Sequence, residues 1–234
     1  MGNNNIKVSA SILSADFLTL GNEINAVEKA GVDSIHLDVM DNHMAPTLSF
    51  GPPIIKPVRK HTALPLDAHL MIDAPWLFFD DYINCDVDEI CFHIEAYCNA
   101  PQNHEQIKTQ SRIGQTIDYK RIEKDIDYLK KHKIKPGITI NPSTNIKALT
   151  PLLNHVDSVL IMSVHPGFSG QIFIQNAIER IRYIRHLFDG DIKVDGGVND
   201  KNAQLLKEAG ANTLITASYL FASSDYQRAI NALR

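Results

Sequence analysis

The feature that most constrains the fold is an alternation of two patterns along the chain. Short apolar runs rich in β-branched residues alternate with segments in which apolar residues recur every three or four positions. Strands separated by helices pair in parallel, because each helix returns the chain to the same end of the sheet. Eight such units in 234 residues predict an α/β fold, a single (β/α)8 TIM barrel domain over residues 1–234. An open doubly wound sheet is the alternative, but no GxGxxG follows the first strand.

The apolar runs predict the strands, and the periodic segments between them predict the helices. The predicted strands are Lys7–Ile12, Ser34–Met40, Leu66–Met71, Glu89–Ile94, Pro136–Ile140, Ser158–Val164, Ile192–Asp195 and Thr213–Ala217. The predicted helices are one from Phe17 to Val27 that stops at Gly31, and Pro52–His61, Pro75–Asn84, Arg121–His132, Ile146–Leu153, Gln175–Phe188, Lys201–Ala209 and Ser224–Leu233.

Charge and composition exclude several classes of protein. The 23 Lys and Arg residues are outnumbered by 27 Asp and Glu, so no nucleic-acid partner is expected, because binding phosphates needs a basic face. The apolar runs are short and interrupted by charges, which argues against a membrane-spanning helix. Residues 1–5 lack the features of a signal peptide, so we expect a cytoplasmic location. Three cysteines without CxxC spacing indicate neither a disulfide framework nor a zinc knuckle.

Two neighbouring predicted strands, Ser34–Met40 and Leu66–Met71, carry ionisable residues at alternate positions. Successive side chains of a strand point to opposite faces, and the apolar set is expected to pack against helices. The other set therefore points into the barrel. Asp195 ends the seventh strand and adds a third contribution. The inward-facing residues of the two neighbouring strands are His36, Asp38, Met40, Asp67, His69 and Met71.

Ionisable groups inside a barrel need partners or a metal ion, because burying an isolated charge costs several kcal/mol. Imidazoles together with carboxylates form a nitrogen and oxygen ligand set that suits one divalent metal ion. Zinc is the first expectation, and iron, cobalt and manganese are alternatives. A single buried histidine is more often a hydrogen-bonded core residue than a ligand. The combination on strand ends, where barrel enzymes place catalytic groups, favours a metal site.

Glycine-rich turns follow the late strands of the predicted barrel. The segment 165–171 follows the sixth strand, Gly196 and Gly197 follow the seventh, and Ser218 follows the eighth, just before a short helical stretch. Such turns expose backbone N–H groups, and barrels commonly bind phosphate after strands seven and eight. Each turn alone is also consistent with an ordinary loop. Their joint position predicts a phosphorylated ligand.

Three further groups of residues lie near the predicted site. A polar, aperiodic insertion at about 97–120 follows the fourth strand, and a surface loop is favoured there over a substrate lid. Met40, Met71 and Met162 form either an apolar floor of the site or ordinary core. Hydrogen bonding or solvent exposure is expected, rather than metal ligation, for three histidines near strand ends: His43, His93 and His165.

These patterns resemble the ribulose-phosphate 3-epimerase family over nearly the whole chain apart from the insertion. Several stretches carry the resemblance. They are Ser11-Ile12-Leu13-Ser14-Ala15-Asp16, His36-Leu37-Asp38-Val39-Met40-Asp41, Leu66-Asp67-Ala68-His69-Leu70-Met71, Asn141-Pro142, Pro166-Gly167-Phe168 with Gly170-Gln171, and Val194-Asp195-Gly196-Gly197.

The resemblance implies a barrel isomerase that inverts C3 of a ketose phosphate with a divalent metal, through an enediolate and two carboxylates. By position, Asp38 and Asp195 correspond to the acid/base pair. The implied metal ligands are His36, Asp38, His69 and Asp195. The implied contacts to substrate and phosphate are Ser11, His69, Gly167, Phe168, Ser169, Gly170, Gly196, Gly197 and Ser218. We also expect a homo-oligomer, with no membrane partner.

The chain departs from the family pattern in loops that would contact the far end of the sugar and the phosphate. Ser169 replaces a glycine of the phosphate turn, and Ala217 replaces a glycine before Ser218. None of the departures removes an implied ligand. Conversion of D-ribulose 5-phosphate to D-xylulose 5-phosphate is the first expectation, and 3-epimerisation of a hexulose 6-phosphate or another ketose phosphate is the alternative.

Two other classes of phosphate-binding barrel rank lower. A sugar-phosphate lyase of a related type needs Asp-x-Lys-x-x-Asp on a strand, and Met40 stands where that lysine would be. A catalytically inactive barrel is disfavoured because all four implied ligands are retained.

Overall fold

The computed structural model describes residues 6–98 and 116–234, whose strands form a closed parallel barrel. Each strand pairs with its sequence neighbours, and the eighth pairs with the first. The predicted barrel is therefore confirmed, with small changes at strand ends. The strands are β1 (Lys7–Ser11), β2 (Ser34–Met40), β3 (Leu66–Met71), β4 (Glu89–His93), β5 (Lys135–Ile140), β6 (Ser158–Met162), β7 (Asp191–Asp195) and β8 (Thr213–Thr216).

Helices lie between the strands along the chain. The α-helices of the described residues are α1 (Leu20–Lys29), α2 (Pro52–His61), α3 (Phe79–Ile83), α4 (Tyr119–Lys131), α5 (Ala177–Arg185), α6 (Ala203–Ala209), α7 (Ser218–Phe221) and α8 (Tyr226–Leu233). Short 3-10 segments span Ile12–Ser14, Phe17–Thr19, Pro75–Leu77, Ile94–Tyr97 and Ile146–His155. Among residues 6–98 and 116–234, no helix has the length and apolar character that crossing a membrane requires.

Three predicted helices differ from the structure in type or continuity. The helix predicted from Phe17 starts as the 3-10 turn Phe17–Thr19, and α1 begins at Leu20. The segment predicted as Pro75–Asn84 divides into a 3-10 turn and α3 at Phe78, whose backbone is not helical. The segment predicted as Ile146–Leu153 is a 3-10 segment that extends to His155. Pro151 lies inside it, and a proline in an α-helix removes an amide donor and clashes with the preceding turn. The apolar period is preserved, but the α-helical hydrogen bonds are not.

The strand alternation sorts side chains into two layers. The outward-facing Ile35, Leu37 and Val39 of β2 belong to the large buried cluster that includes apolar residues of the surrounding helices. A smaller apolar cluster joins residues of β4, β6 and β8 with Val164. The barrel interior therefore combines this apolar cluster with ionisable residues of β2, β3, β4 and β7. The smaller cluster consists of Cys91, Leu160, Met162, Val164 and Ile215.

The predicted insertion at about 97–120 falls partly outside the described residues, which stop at Cys98 and resume at residue 116. Its described ends lie side by side, because Cys98 and Ile117 form an isolated antiparallel bridge. Tyr97 ends a 3-10 segment and Tyr119 begins α4. The described segments on the two sides of the gap therefore lie next to each other after β4.

Candidate metal centre and active site

Four side chains from three strands meet at the carboxyl end of the barrel. Each offers one nitrogen or oxygen atom, and these atoms all lie within 4.8 Å of one another. Residues of β2 and β3 are register neighbours, since Asp38 pairs with His69, whereas β7 approaches from across the barrel. The four residues are those expected from the sequence: His36, Asp38, His69 and Asp195.

The two imidazoles each direct one ring nitrogen into this cluster. His36 Nδ1 lies 3.1 Å from Asp67 Oδ2, while Nε2 lies 3.3 Å from Asp38 Oδ1 and has no hydrogen-bond partner among the described residues. His69 Nδ1 lies 3.2 Å from Asp38 Oδ1 and 3.8 Å from Asp195 Oδ2. Neutral imidazole nitrogens and carboxylate oxygens repel one another unless a proton or a cation lies between them. The arrangement therefore fits a bound metal ion.

The same crowding shifts the pKa values of the carboxyl groups in opposite directions. Burial alone would raise the pKa of Asp38, but the imidazoles of His36 and His69 outweigh it and hold that pKa well below its usual value. Burial and repulsion by Asp38 raise the pKa of Asp195 to about 7. One carboxyl group is thus ionised at neutral pH, and the other is close to its midpoint.

The pKa values of the His36 and His69 imidazoles are also shifted in opposite directions. Burial lowers the pKa of His69 to about 4, so that ring is neutral. Burial would lower the pKa of His36 as well, but the carboxylates of Asp38 and Asp67 raise it well above 6.5. The position between these carboxylates therefore favours a positive charge, which either an imidazolium or a metal ion can supply.

Ser11 lies below the cluster and contacts a ligand candidate. Its hydroxyl donates a hydrogen bond of 2.5 Å to Asp38 Oδ2, and its side chain also caps the following 3-10 turn. Ser11 and His69 are fully buried and do not line the cavity above the cluster. The structure thus places both beneath the expected substrate position, where they contact Asp38.

A buried ionic network lies deeper in the barrel. Lys193 Nζ lies 2.7 Å from both Asp67 Oδ2 and Glu89 Oε1, and Ser158 donates a hydrogen bond to the same Glu89 oxygen. Through Asp67 the network reaches His36. Sequence reasoning missed Lys193 and Glu89, although Lys193 alternates with Asp195 along β7 and Glu89 occupies an inward position of β4.

His93 was expected to be a hydrogen-bonding or exposed residue near the site, and it is fully buried against His69. The Nε2 atoms of the two rings are 3.0 Å apart. Glu95 was not singled out in the sequence, and its carboxylate lies 3.4 Å from His93 Nδ1. The sequence of β4 contains a pattern that indicates an inward position for His93. Glu89, Cys91 and His93 alternate with Ile90 and Phe92 and therefore share one face of the strand.

A cavity opens above the cluster at the carboxyl end of the barrel. Asp38 and Asp195 form part of its wall, and Asp195 keeps 14% of its side chain exposed. The three methionines expected near the site also line it. Of the expected substrate contacts, those lining the cavity are Gly167, Phe168, Ser169, Gly170, Gly196, Gly197 and Ser218.

The loop after β6 is held in shape by one amide side chain. Gln171 Nε2 donates hydrogen bonds of 2.7 Å to the His165 carbonyl and 2.8 Å to the Phe168 carbonyl. Gly167 and Gly170 adopt positive φ angles in the same loop. This geometry orients the loop along one wall of the cavity, next to Gly196.

Gly196 occupies a position that no other residue should tolerate. Its φ is +111°, and an added Cβ would lie 2.3 Å from Val164 Cγ2. We expect Gly196→Ala to lower the free energy of unfolding by about 2–4 kcal/mol, because it combines backbone strain with overpacking of the barrel interior. Urea unfolding followed by circular dichroism measures this loss.

Gly31 provides the matched control for this substitution. Its φ is +93°, but nothing lies within 4 Å of the position of an added Cβ. Gly31→Ala therefore carries backbone strain alone, and we expect a smaller loss, about 1 kcal/mol. Equal losses for the two variants would show that contact with Val164 does not matter.

Comparison with known proteins identifies relatives of the chain. The model of the ribulose-phosphate 3-epimerase family matches residues 7–117 and 115–221. The chain is 39% identical to a ribulose-phosphate 3-epimerase of Bacillus subtilis, covering 98% of each chain. It is 38% identical to the chloroplastic ribulose-5-phosphate-3-epimerase of Arabidopsis thaliana, covering 98% of this chain and 76% of that one.

A solved structure with little sequence similarity to this chain has the same fold. A mutant tryptophan synthase α-subunit from Pyrococcus furiosus superposes with a TM-score of 0.67. The alignment covers 98% of this chain and 97% of that one, at 14% identity. The similarity therefore concerns the barrel and not the site.

Proposed function

This chain belongs to the ribulose-phosphate 3-epimerase family, and from that premise we propose that it interconverts D-ribulose 5-phosphate and D-xylulose 5-phosphate with one divalent metal ion. Enzymes of this family are isomerases that act on carbohydrates. The observation that carries the proposal is the convergence of two carboxylates and two imidazoles beneath an open cavity. A hexulose 6-phosphate remains the alternative substrate, because Ser169 and Ala217 depart from the family pattern in the loops around the phosphate.

The proposed metal site uses the nitrogen and oxygen atoms already described. The ligands would be His36 Nε2, His69 Nδ1 and one oxygen each of Asp38 and Asp195. The mixed set suits zinc and also iron, cobalt or manganese. When bound, such an ion supplies Lewis-acid stabilisation of negative charge that develops on the substrate oxygens.

The two carboxylates would carry the proton transfers. Inversion at C3 requires a proton to leave from one face of the carbon and another to arrive at the opposite face. Asp38 is on β2 and Asp195 is on β7, so they approach from different sides of the barrel. One of the two would remove the proton as the base, and the other would deliver a proton as the acid. Their roles exchange when the reaction runs in reverse.

The rest of the cavity wall suits the intermediate and the phosphate. Removing the C3 proton leaves an enediolate, and water that reached it could protonate it on either face. Met40, Met71 and Met162 line the cavity and keep that region apolar. Gly196, Gly197 and Ser218 also line the cavity, and exposed N–H groups of glycine turns bind anions.

The proposed activity is tested by following hydrogen exchange at C3. Ribulose 5-phosphate incubated with the protein in deuterated water should give xylulose 5-phosphate that carries deuterium at C3. Removing the metal with a chelator should lower the rate by about a thousandfold or more, because several kcal/mol of charge stabilisation is lost. Adding back zinc, iron, cobalt or manganese separately should restore it and identify the ion. Mass spectrometry and NMR of the sugar phosphate measure the exchange.

A panel of substrates completes this test. Pentulose and hexulose phosphates are compared at equal concentration, with metal supplied. Exchange with a hexulose phosphate alone would replace the proposed substrate, and no exchange with any member would contradict the proposal. The homo-oligomer and the cytoplasmic location stay predictions from the sequence.

A further inference from the structure

The imidazole of His69 is one link in a buried chain that ends at a carboxylate outside the metal cluster. From this chain we infer that Glu95 and His93 are positioning residues, which set the tautomer of His69 so that Nδ1 presents its lone pair to the metal. The inference rests on the proposed metal site. It assigns a function to two residues of β4 and the turn after it that do not contact the cavity.

The geometry of the chain is continuous from the cluster to Glu95. His69 Nε2 lies 3.0 Å from His93 Nε2, and the two rings are nearly parallel, with an interplanar angle of 18°. His93 Nδ1 lies 3.4 Å from Glu95 Oε2, an ion-pair contact without hydrogen-bond geometry. His69 and His93 are fully buried, and Glu95 is 2% exposed. Water therefore does not compete for these contacts.

The carboxylate of Glu95 determines which nitrogen of each histidine in this chain of contacts carries the ring proton. An ionised carboxylate attracts a ring proton and repels a ring lone pair, so a single ring proton on His93 is favoured on Nδ1, facing Glu95. His93 Nε2 then carries a lone pair, and its neighbour His69 Nε2 must be the donor. A neutral imidazole has one ring proton, which leaves the lone pair of His69 Nδ1 facing Asp38 and Asp195.

The opposite arrangement would place a proton where the metal binds. If His69 carried its proton on Nδ1, His93 would donate through Nε2 and turn the lone pair of its Nδ1 toward the carboxylate of Glu95. Two acceptors 3.4 Å apart in a buried site repel each other. Glu95 therefore disfavours the tautomer that cannot bind a metal through Nδ1.

Glu95 is itself held by the turn after β5. Its Oε1 accepts hydrogen bonds of 2.7 Å from the Asn141 amide and 2.6 Å from the Thr144 hydroxyl. The buried guanidinium of Arg180 holds the same turn through three backbone carbonyls, at 2.7–3.0 Å. Oε1 is thus committed to the turn, which leaves Oε2 to face His93.

This commitment makes Glu95→Gln a selective test. The amide oxygen of glutamine replaces Oε1, because it must accept from Asn141 and Thr144, so the NH2 group replaces Oε2. A donor then faces His93 Nδ1 and reverses both tautomers, with almost no change in volume. We expect the dissociation constant for Zn²⁺ to rise about 10- to 100-fold, the range typical of lost partners behind a metal ligand. Competition with a chromophoric chelator measures it.

A second readout does not depend on metal or activity. The 15N chemical shifts of the His69 ring, measured after chelation, show which nitrogen carries the proton. Without metal, Asp38 Oδ1 lies 3.2 Å from Nδ1 and also attracts the proton, so the quantity compared is the fraction of His69 with its proton on Nε2. That fraction should be larger in the wild type than in Glu95→Gln. Equal fractions in the two proteins would overturn the inference.

Substitutions at His93 test the same chain. His93→Gln keeps an acceptor near His69 Nε2 and should retain Zn²⁺ affinity better than His93→Leu, which removes it. Thr139→Val is the matched control, because Thr139 is fully buried, is the register neighbour of His93 and has no hydrogen-bond partner for its hydroxyl among the described residues. We expect its dissociation constant to stay within about twofold of wild type, since no partner of a ligand is lost.

The outcomes separate this inference from the proposed function. A wild-type protein that binds no divalent ion contradicts the metal site itself. A wild-type protein that binds Zn²⁺, together with Glu95→Gln and His93→Leu variants of equal affinity, contradicts only the positioning roles of Glu95 and His93.

Discussion

Replacing either carboxylate of the proposed acid/base pair is expected to abolish most of the epimerisation. Exchange of the C3 proton with solvent should continue for the epimer whose C3 proton faces the remaining carboxylate. We expect Asp38→Asn and Asp195→Asn each to lower kcat by about 10²- to 10⁴-fold, the usual contribution of a general acid or base. Asparagine keeps a side-chain oxygen for the metal but cannot take up or deliver the C3 proton. Coupled assay of the epimerised product measures the loss.

The remaining carboxylate makes the prediction specific to a two-sided reaction. In Asp195→Asn, Asp38 can still remove the C3 proton from the epimer whose proton faces it, and can return a deuteron to the same face. That epimer should then exchange with deuterated water without inversion. Asp38→Asn should show exchange in the other epimer. NMR of each sugar phosphate incubated separately distinguishes the two patterns.

Controls separate acid/base loss from metal loss. Elemental analysis of each variant reports whether the ion is still bound. His43→Asn serves as the matched control, since His43 lies in the loop after β2, 43% exposed, and contacts Asp41 rather than the cluster. Its activity should stay close to wild type. If His43→Asn were as inactive as the aspartate variants, or if both aspartate variants exchanged the same epimer, the assigned roles would be wrong.

Removing the buried ammonium of Lys193 is expected to destabilise the whole barrel. Lys193→Met should lower the free energy of unfolding at pH 7 by about 3–5 kcal/mol, because it leaves the carboxylates of Asp67 and Glu89 buried without their cation. Lys193, Asp67 and Glu89 all lie in the barrel interior, with Lys193 only 4% exposed. Urea unfolding measures the loss.

An exposed lysine ion pair provides the comparison. Lys7 lies 3.4 Å from Asp191, and 58% of its side chain is exposed. Lys7→Met should therefore change the free energy of unfolding by less than about 1 kcal/mol, since exposed ion pairs are screened by water and salt. Similar losses for Lys7→Met and Lys193→Met would contradict the importance of burial.

The loss in Lys193→Met should also depend on pH. In the wild type, burial would raise the pKa of Asp67, but Lys193 and His36 outweigh it and lower that pKa. Without Lys193, burial and mutual repulsion raise the pKa values of Asp67 and Glu89 above those of the unfolded chain. A raised pKa in the folded state means that stability falls as pH rises through it. The deficit should thus be largest at pH 7 and shrink toward pH 5, and a constant deficit would argue against a charge effect.

The local sequence was sufficient to predict most of the framework. The alternation of strands and helices predicted the barrel, because each element shows its own apolar period over a few residues. Alternation within β2 and β3 placed His36, Asp38 and His69 inside, since successive side chains of a strand face opposite sides. The 3-10 segment Ile146–His155 was not foreseen as such, because its apolar spacing resembles that of an α-helix.

The set of residues that form the site depends on contacts between strands that are far apart in the sequence. Lys193 and Asp67 are 126 residues apart in the chain and form their ion pair only when β7 closes onto the opposite side of the barrel. The same closure brings Asp195 to the residues of β2 and β3.

The sequence by itself determined which residues face the barrel interior, because a strand has a period of two wherever it lies. Only the tertiary structure decided which of these residues touch, and which nitrogen of each histidine faces the cluster. The physical reason is that a ring's orientation depends on its hydrogen-bond partners. For His36 the partner is Asp67, and for His69 it is His93, supported by Glu95. Those partners lie on other strands or in the turns that follow them, and only barrel closure brings them within reach.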